Sequence, residues 1–234
     1  MVPSIISFLG KVIGVSLLVI AVVAIGGNIL VYYYPTVPGH YSYVVSITGL
    51  SDYQEDPITE IVVPVPAISG SPVFSEKDLQ HMVTENCTPL PVMTEDGEML
   101  ALRLVGTDLT DISAAISRDF SKDPSLEEVQ EGVFVPRSSR PSEAGSTPDD
   151  FPYIIIPDSL CPVSSDPNPI SVSINVSVSG STTFGEHRPD YLVSIVEQIP
   201  PGRTGIIPVE PRIYYRDSFR EAFRPLEENP SQPL

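Results

Sequence analysis

Residues 170–178 read Ile-Ser-Val-Ser-Ile-Asn-Val-Ser-Val, with a β-branched residue at every even position and a small polar residue at every odd position. Side chains along a β-strand alternate between its two faces, so this stretch predicts an amphipathic strand with one buried side. Residues 40–50 show the same pattern, because Tyr41, Tyr43, Val45 and Ile47 alternate with smaller, mostly polar residues. These two stretches favour a fold built on half-buried strands.

Other segments extend this β pattern along the chain. Strands are predicted at residues 58–65, 151–156 and 191–199, with an extended segment at 206–215 and a turn at Pro200-Pro201-Gly202. Residues 92–105 are typical of a hairpin, because Asp96-Gly97 is a preferred type I′ turn pair. Pro64 and Pro66 place the end of the 58–65 strand at a sheet edge or outside the hydrogen-bonded ladder. The fold class is therefore expected to be mainly β, either an antiparallel sandwich-like fold or an α+β fold.

A few short helices are expected beside the strands. Ser75 is a good N-cap for a helix whose apolar side contains Leu79, Met82 and Val83. Residues 107–120 predict a second helix, with Ile112, Ala115, Ile116 and Phe120 on one side. Residues 137–150 are polar and without periodicity, which predicts a mobile loop.

A third helix is predicted near the C-terminus. Ser218-Phe219-Arg220-Glu221 matches a capping box, and the helix is expected to continue through Phe223. Arg216, Arg220 and Arg224 recur every four residues and would form a basic stripe on it. The stripe either pairs with acidic residues of the same chain or docks an acidic partner. Residues 225–234 are expected to be a flexible tail.

The N-terminal region predicts a membrane anchor. Residues 12–34 form an uncharged apolar run, and a helix of this length rises about 35 Å, enough to cross a hydrocarbon core of about 30 Å. Lys11 precedes the run, and the next Lys or Arg is Lys77, so the N-terminus is expected in the cytoplasm. Residues 1–11 would be a cytoplasmic tail and 35–224 a domain outside the cytoplasm. A cleaved signal peptide ending near Ala24-Ile25-Gly26 is the alternative.

The charge of the chain limits its partners. The formal net charge is −17, with 13 Lys and Arg against 30 Asp and Glu. Nucleic acids and anionic lipid headgroups require a basic surface, so neither is an expected direct partner. The lipid bilayer is expected to contact the N-terminal helix alone, and a protein partner or a second copy of the chain is expected to contact the outer domain.

Outside the cytoplasm, two covalent modifications become possible. Cys87 and Cys161 are the two cysteines of the chain, and an even pair in an oxidising compartment predicts one disulfide. Asn86-Cys87-Thr88 and Asn175-Val176-Ser177 match the acceptor sequence for N-linked glycans. Asn175 lies on the predicted polar side of its strand, where a glycan has room.

No motif predicts catalysis, a cofactor or a metal. The chain lacks the phosphate-binding glycine loops, the serine nucleophile elbow and the histidine or cysteine spacings of zinc sites. Acidic pairs such as Asp149-Asp150 lack the spacing of a calcium loop. We therefore assign no catalytic, cofactor or metal residue.

Three functions remain open at this level. The first is an anchored binding or structural protein, such as an envelope or accessory subunit that contacts other proteins. The second is an anchored hydrolase with a site assembled from distant residues around His187 or His81. The third is a surface polymer formed through sheet edges, which the prolines at the strand ends oppose. The lack of a catalytic motif favours the first.

Overall fold

The computed structural model describes residues 37–54, 59–68, 70–104, 109–120, 134–135, 137–139, 150–163, 165–183, 186–218 and 220–226, with the single positions 20, 23, 125, 128 and 129. Apart from Ile20 and Val23, the predicted membrane segment 12–34 lies outside the described residues, as do residues 1–11 and 227–234. No helix among the described residues has the length and apolar character needed to cross a membrane.

The chain is mainly β, as expected from its alternating sequence. Its strands are, in order, β1 (Gly39–Thr48), β2 (Tyr53–Gln54), β3 (Glu60–Ile68), β4 (Ser71–Pro72), β5 (Val83–Glu85), β6 (Cys87–Thr94), β7 (Gly97–Leu104), β8 (Ile112–Phe120), β9 (Phe134–Val135), β10 (Arg137–Ser139), β11 (Asp150–Ile156), β12 (Cys161–Pro162), β13 (Ile170–Ser179), β14 (Thr182–Thr183), β15 (Glu186–His187), β16 (Asp190–Ile199), β17 (Gly205–Pro208), β18 (Arg212–Arg216) and β19 (Arg224–Pro225). The helix α1 spans Glu76–Gln80, and Leu50–Asp52 forms a 3-10 turn.

Most of the strands form two antiparallel sheets. The first sheet has seven strands in the order β19-β18-β16-β13-β1-β8-β5. The second has eight, with the path β10-β11-β3-β7-β6, and with β17 beside β11 and β4 and β9 beside β3. Two small two-stranded pairs, β2 with β12 and β14 with β15, lie outside both sheets.

The first sheet is organised around β1 and β13. Both strands alternate buried and half-buried residues along their full length, as the sequence predicts. Their register places Val45 beside Ile174 and Ile47 beside Val172, so the buried residues meet on one face. Burying each such side chain contributes roughly 1.5–3 kcal/mol, which fixes this register, because a slip of one residue would expose every one of them.

The two sheets share one hydrophobic core. It contains residues from β1 and β13 together with Ile61 and Val63 of β3 and Leu100 and Leu102 of β7. Tyr43 of β1 is fully buried and links the sheets directly, because its hydroxyl donates to the Pro64 carbonyl oxygen of β3 at 2.8 Å. Its ring also stacks on Phe74, with 6.4 Å between the ring centres.

Several predicted elements are confirmed. Ser75 caps α1, accepting a hydrogen bond from the Asp78 backbone at 3.2 Å, while its own backbone N–H donates to the Asp78 carboxylate at 3.0 Å. The Ser75 hydroxyl also donates to the Asp78 carboxylate at 2.8 Å, and this bond, together with the one from the Ser75 backbone, lowers the pKa of the Asp78 carboxyl. Leu79 and Met82 are buried as expected. Strands β6 and β7 form the predicted hairpin, with Thr94 paired to Gly97, which places the turn one residue earlier than predicted.

The predicted helix at residues 107–120 is wrong. Residues 112–120 form the strand β8, which pairs with β1 along its whole length. This sequence carries both periods, because Ile112 and Ile116 fit a helix face and also, with Ala114, a strand face. The strand forms because one edge of β1 carries backbone N–H and C=O groups that need hydrogen-bond partners, and only a neighbouring strand supplies them.

Three smaller predictions are also corrected. Val83 does not join the apolar side of α1 but lies on β5, with 79% of its surface exposed. Pro64 and Pro66 lie inside β3, where that strand changes its neighbour from β7 to β9. The two ends of the predicted loop at 137–150 belong to the paired strands β10 and β11, and residues 140–149 lie outside the described residues.

Candidate functional site

The outer side of the seven-stranded sheet carries small uncharged residues. These are the side chains on β8, β1, β13 and β16 that alternate with the core residues, apart from His40, Asp119 and Asp190 at one end of the sheet. We call this surface the hydroxyl face, and it consists of Ser42, Val44, Ser46, Thr48, Ser113, Ala115, Ser117, Ser171, Ser173, Asn175, Ser177, Ser179, Leu192, Ser194, Val196 and Gln198. None of these residues is charged, although the chain has a net charge of −17.

The strand register aligns these residues in straight rows. The middle row runs across six neighbouring strands and contains Val83, Ala115, Val44, Asn175, Ser194 and Arg212. Most members of the rows are half-buried, because adjacent strands shade their short side chains. Val83 and Val196 are the main apolar exceptions, with 79% and 65% of their surfaces exposed. The result is a flat surface with few projecting groups.

Charged residues lie at the borders of the hydroxyl face. Glu85 on β5 marks one lateral border, and Arg212 on β18 marks the other; both are exposed. At the N-terminal end of β1, His40 Nδ1 lies 2.8 Å from an Asp119 carboxylate oxygen. Charge is thus placed around the face and excluded from its interior.

Asp190 and Arg216 form a structural ion pair beside this surface. Asp190 is 1% exposed, and its carboxylate accepts from the Arg216 Nε at 2.6 Å and from the Gly180 backbone at 2.9 Å. The Arg216 guanidinium also lies over the Phe223 ring, at 4.6 Å from the ring centre. These contacts tie β16, the end of β13 and the C-terminal segment together, so this arginine serves the fold.

A cavity of about 530 Å³ opens at the end of the hydroxyl face that is farthest from the start of β1. We call it the end cavity. Its described lining residues are Ser46, Thr48, Ser51, Glu85, Asn86, Thr110, Asp111, Ile112 and Ser113. Three of them, Ser46, Thr48 and Ser113, also belong to the hydroxyl face, so the two features form one continuous surface.

Two backbone positions shape the end cavity. Gly49 has φ of +84°, a conformation that glycine adopts at little cost, and its N–H donates to an Asp111 carboxylate oxygen at 3.0 Å. A Cβ added at Gly49 would lie 2.7 Å from the Pro169 carbonyl oxygen. Asn86 also has positive φ, +58°, and its side-chain amide donates to the Asp111 carbonyl oxygen at 2.9 Å. The loops around Asp111 are therefore held in a defined geometry.

The lining of the end cavity is rich in oxygen atoms. Its described lining residues include two carboxylates and several hydroxyls, and they include no His, Cys, Lys or Arg. Most of its polar atoms accept hydrogen bonds, since the Asn86 amide already donates to Asp111. A cationic group with several N–H donors suits such a lining best.

A second concavity, of about 610 Å³, lies at the opposite border of the sheet. It is lined by Glu210, Pro211, Arg212, Ile213, Tyr214, Pro225 and Leu226. The Leu226 backbone donates to the Ile213 carbonyl at 2.9 Å, which joins the C-terminal segment to β18. Arg212 is the cationic residue that this concavity shares with the border of the hydroxyl face.

The predicted disulfide between Cys87 and Cys161 is not formed. Both residues are free cysteines; Cys87 is buried on β6 and Cys161 is exposed on β12. The Cys87 thiol donates weakly to the Ser113 carbonyl at 3.5 Å, and the Cys161 thiol lies 3.8 Å from the Asp158 carbonyl. The two strands belong to different sheets, so each thiol has its own neighbours. Burial raises the pKa of the Cys87 thiol to about 11.

The two glycosylation candidates occupy different parts of the surface. Asn86 is exposed at the end cavity, but its amide nitrogen is engaged with Asp111. Asn175 lies in the middle row of the hydroxyl face, on the polar side of its strand, and donates to the Ser173 hydroxyl at 3.0 Å. A glycan on Asn175 would cover the centre of that face, so this glycan and a protein partner bound at the face exclude each other. Both sites stay predictions.

The predicted arginine stripe is wrong in its geometry. Residues 216–224 form no helix in the part that is described, since Arg216 ends β18 and Arg224 begins β19. Arg216 pairs with Asp190, Arg224 pairs with Glu221 at 2.9 Å, and Arg220 is exposed. Pairing within the chain thus accounts for two of the three arginines.

The two histidines of the hydrolase hypothesis lie on separate elements. His81 follows α1, and its Nδ1 lies 2.6 Å from the Lys77 carbonyl oxygen. His187 lies on β15, whose backbone pairs with β14. Neither belongs to the described lining of the end cavity. Among the described residues, no group of three or more His, Cys, Asp or Glu is placed to hold a metal ion.

Comparisons of the chain with protein-family models, with curated proteins and with solved structures found no match. Geometry and charge therefore carry the functional interpretation. Sequence reasoning missed both the hydroxyl face and the end cavity. The serines at 171, 173 and 177 do indicate one polar side of a strand. The pattern of residues 113–117, however, predicts a helix, and the strand pattern of residues 192–198 does not indicate which side of that strand is exposed.

Proposed function

We propose that this chain is a membrane-anchored, extracytoplasmic binding protein, an envelope or accessory subunit that contacts a protein partner through the hydroxyl face. The observation that carries the proposal is the distribution of charge. A chain with 30 acidic residues keeps the whole interior of this face uncharged and places charge at its borders.

An uncharged interior lowers the free-energy cost of burying this face against a partner. Removing a charged group from water costs several kcal/mol unless it is paired, whereas a serine hydroxyl finds a new hydrogen-bond partner in the interface. The cores of protein interfaces are accordingly depleted of charged residues. Short side chains also allow a flat partner to come close to the sheet. The face suits a flat partner surface that is itself largely uncharged.

The anchor rests on the sequence of residues 12–34. The first strand starts at Gly39, five positions after the end of that segment, so the folded part would begin close to the membrane surface. The positive charge at Lys11 supports a cytoplasmic N-terminus and an extracytoplasmic domain. This placement would present the hydroxyl face to other proteins of the same envelope.

The test compares two equivalent charge substitutions. Ser173→Glu places a carboxylate in the interior of the hydroxyl face, and Ser165→Glu places the same group on an exposed loop outside it. The tagged full-length chain is co-expressed with an untagged copy and purified from its own membranes in mild detergent, and the co-purifying proteins, the untagged copy included, are quantified. We expect Ser173→Glu to lower recovery of the partner at least tenfold, a loss of about 1.4 kcal/mol or more, and Ser165→Glu to leave it unchanged.

Two results would contradict the proposal. One is equal recovery of every co-purifying protein by the wild-type chain and by Ser173→Glu. The other is recovery of the intact chain in the soluble fraction after cell lysis, which would remove the anchor. Circular dichroism spectra and unfolding midpoints of both variants serve as the folding control, because a half-buried serine on an outer strand face tolerates substitution.

A further inference from the structure

The hydroxyl face has a pattern of charge that complements itself. Six strands, β5, β8, β1, β13, β16 and β18, contribute to its middle row, so its midline lies between β1 and β13. The β5 border carries Glu85 and the end cavity with its acceptor groups. The β18 border carries the exposed Arg212. Glu85 on β5 and Arg212 on β18 thus lie at equal distances from the midline, on either side of an uncharged interior.

We propose that the partner on the hydroxyl face is a second copy of this chain, related by a two-fold axis that runs parallel to the strands along that midline. This inference rests on the proposed function and names its partner. Rotation about such an axis places β5 of one copy over β18 of the other, and β1 over β13. Val44 of one copy then faces Asn175 of the second copy at the centre of the contact.

In this arrangement the opposite charges at the two borders face each other. Arg212 of the second copy lies over Val83, next to Glu85 and the mouth of the end cavity. The guanidinium has five N–H donors and a permanent positive charge, and the lining offers carboxylate and hydroxyl oxygens. Because the interface is isologous, the same contact forms twice. A like-charged contact would result if the axis ran across the strands, since each border would then meet its own copy.

The direction of the axis also agrees with a membrane anchor. Rotation about an axis parallel to the strands keeps the start of β1 at the same end in both copies. Both N-terminal segments therefore point to one side, as two chains anchored in the same bilayer require. An axis that lies in the face and runs across the strands would send the two segments to opposite sides.

The available area suits a dimer of moderate affinity. Five strand spacings of about 4.8 Å and four row spacings of about 6.8 Å give a patch roughly 24 Å by 27 Å, or about 650 Å² per copy. Stable interfaces bury roughly 600–1,000 Å² per partner, so this patch lies at the lower end. The net charge of −17 on each copy opposes association, and salt screens this repulsion beyond about 8 Å at physiological ionic strength. Anchoring in one membrane would raise the effective concentration.

Site-directed cross-linking tests the arrangement in the full-length chain in detergent micelles at physiological salt. Cys161→Ser removes the exposed native thiol, and the buried Cys87 is kept. Single cysteines are then introduced as Val44→Cys at the midline, Val83→Cys and Arg212→Cys at the two borders, and Met93→Cys on the exposed side of β6 as the control. The probe is a short bismaleimide, and the product is the covalent dimer on a denaturing gel.

We expect three results. Val44→Cys gives a covalent dimer at least tenfold above Met93→Cys. Val83→Cys alone stays at the control level, because its copies lie about 24 Å apart across the face. An equimolar mixture of Val83→Cys and Arg212→Cys chains gives a dimer, because β5 of one copy faces β18 of the other. Adding Ser173→Glu to the Val44→Cys chain lowers its dimer at least tenfold, and adding Ser165→Glu does not.

The alternatives give different products. A covalent dimer from Val83→Cys alone would show an axis that runs across the strands and would overturn the proposed geometry. A yield from Val44→Cys equal to the control would overturn self-association. In that case the proposed function still stands if Ser173→Glu, but not Ser165→Glu, loses a different co-purifying protein, so the two failures are distinguishable.

Discussion

Replacing Tyr43 by phenylalanine tests the link between the two sheets. The side chain is fully buried, and its hydroxyl donates to the Pro64 carbonyl oxygen at 2.8 Å. Burial raises the pKa of Tyr43, so the hydroxyl stays a donor at any moderate pH. Phenylalanine has nearly the same volume, and the change removes a hydrogen bond without opening a cavity. The loss of the bond and the desolvated carbonyl that it leaves together cost about 1–3 kcal/mol.

Urea unfolding of the full-length chain in mild detergent measures this cost. Far-ultraviolet circular dichroism is the suitable signal, because the chain contains no tryptophan and its tyrosine emission changes with the substitution itself. With a slope of about 2 kcal/mol per molar urea, a loss of about 2 kcal/mol lowers the midpoint by about 1 M. The slope itself is expected to stay constant.

Tyr214→Phe is the matched control. Tyr214 lies half-buried on β18, outside the shared core, so its loss of a hydroxyl is expected to cost less than about 0.5 kcal/mol. Equal midpoints for the wild-type chain, Tyr43→Phe and Tyr214→Phe would refute the reasoning. Such a result would mean that the Tyr43 hydroxyl does not bridge two sheets in a dry core.

Two other predictions concern the end cavity and the thiols. Gly49→Ala is expected to destabilise the chain by about 1–3 kcal/mol, because the φ of +84° and the crowded space where a Cβ would lie both oppose a side chain. The urea unfolding midpoint measures this loss, and an unchanged midpoint would contradict the prediction. At pH 8 a thiol reagent is expected to modify Cys161 rapidly, whereas Cys87, with its pKa raised to about 11, is about 0.1% thiolate and reacts slowly until the chain unfolds. Finding no reactive thiol in the unfolded, unreduced chain would show that the two cysteines are bonded after all.

The strands that form the centre of the first sheet were predictable. β1, β13 and β16 alternate apolar and polar residues so regularly that only one face of each can be buried. The hairpin of β6 and β7 and the cap of α1 follow from local chemistry, through a glycine after the turn and a serine that satisfies the first helical N–H groups. In these segments the local preference and the final contacts agree.

β8 was not predictable by the same means. Its residues fit a helix and a strand about equally well, and the choice depends on β1, which lies more than 60 positions away in the sequence. The prediction of a C-terminal helix was wrong for a related reason. Its capping-box pattern suggests a helix, but the buried Asp190 holds Arg216 in a strand, and Phe223 covers that arginine. In both places a distant partner outweighs a weak local signal.

The candidate site depends more strongly on the tertiary structure than the fold does. The alternation in residues 170–178 shows that one side of β13 is polar, but it does not show which other residues lie beside it. The hydroxyl face exists because β8, β1 and β16 bring their own small residues into the same rows. The end cavity requires, in addition, the positive φ angles of Gly49 and Asn86 around Asp111.

The sequence alone determined the β character of this chain, the main amphipathic strands, its acidic charge and the apolar segment at 12–34, because each is a property of neighbouring residues. The tertiary structure alone decided the strand order, the conformation of residues 112–120, the separation of Cys87 from Cys161, and the position of the uncharged surface. These features depend on contacts between residues far apart in the chain. Local preferences do not specify such contacts, and burial and backbone hydrogen bonding select them during folding.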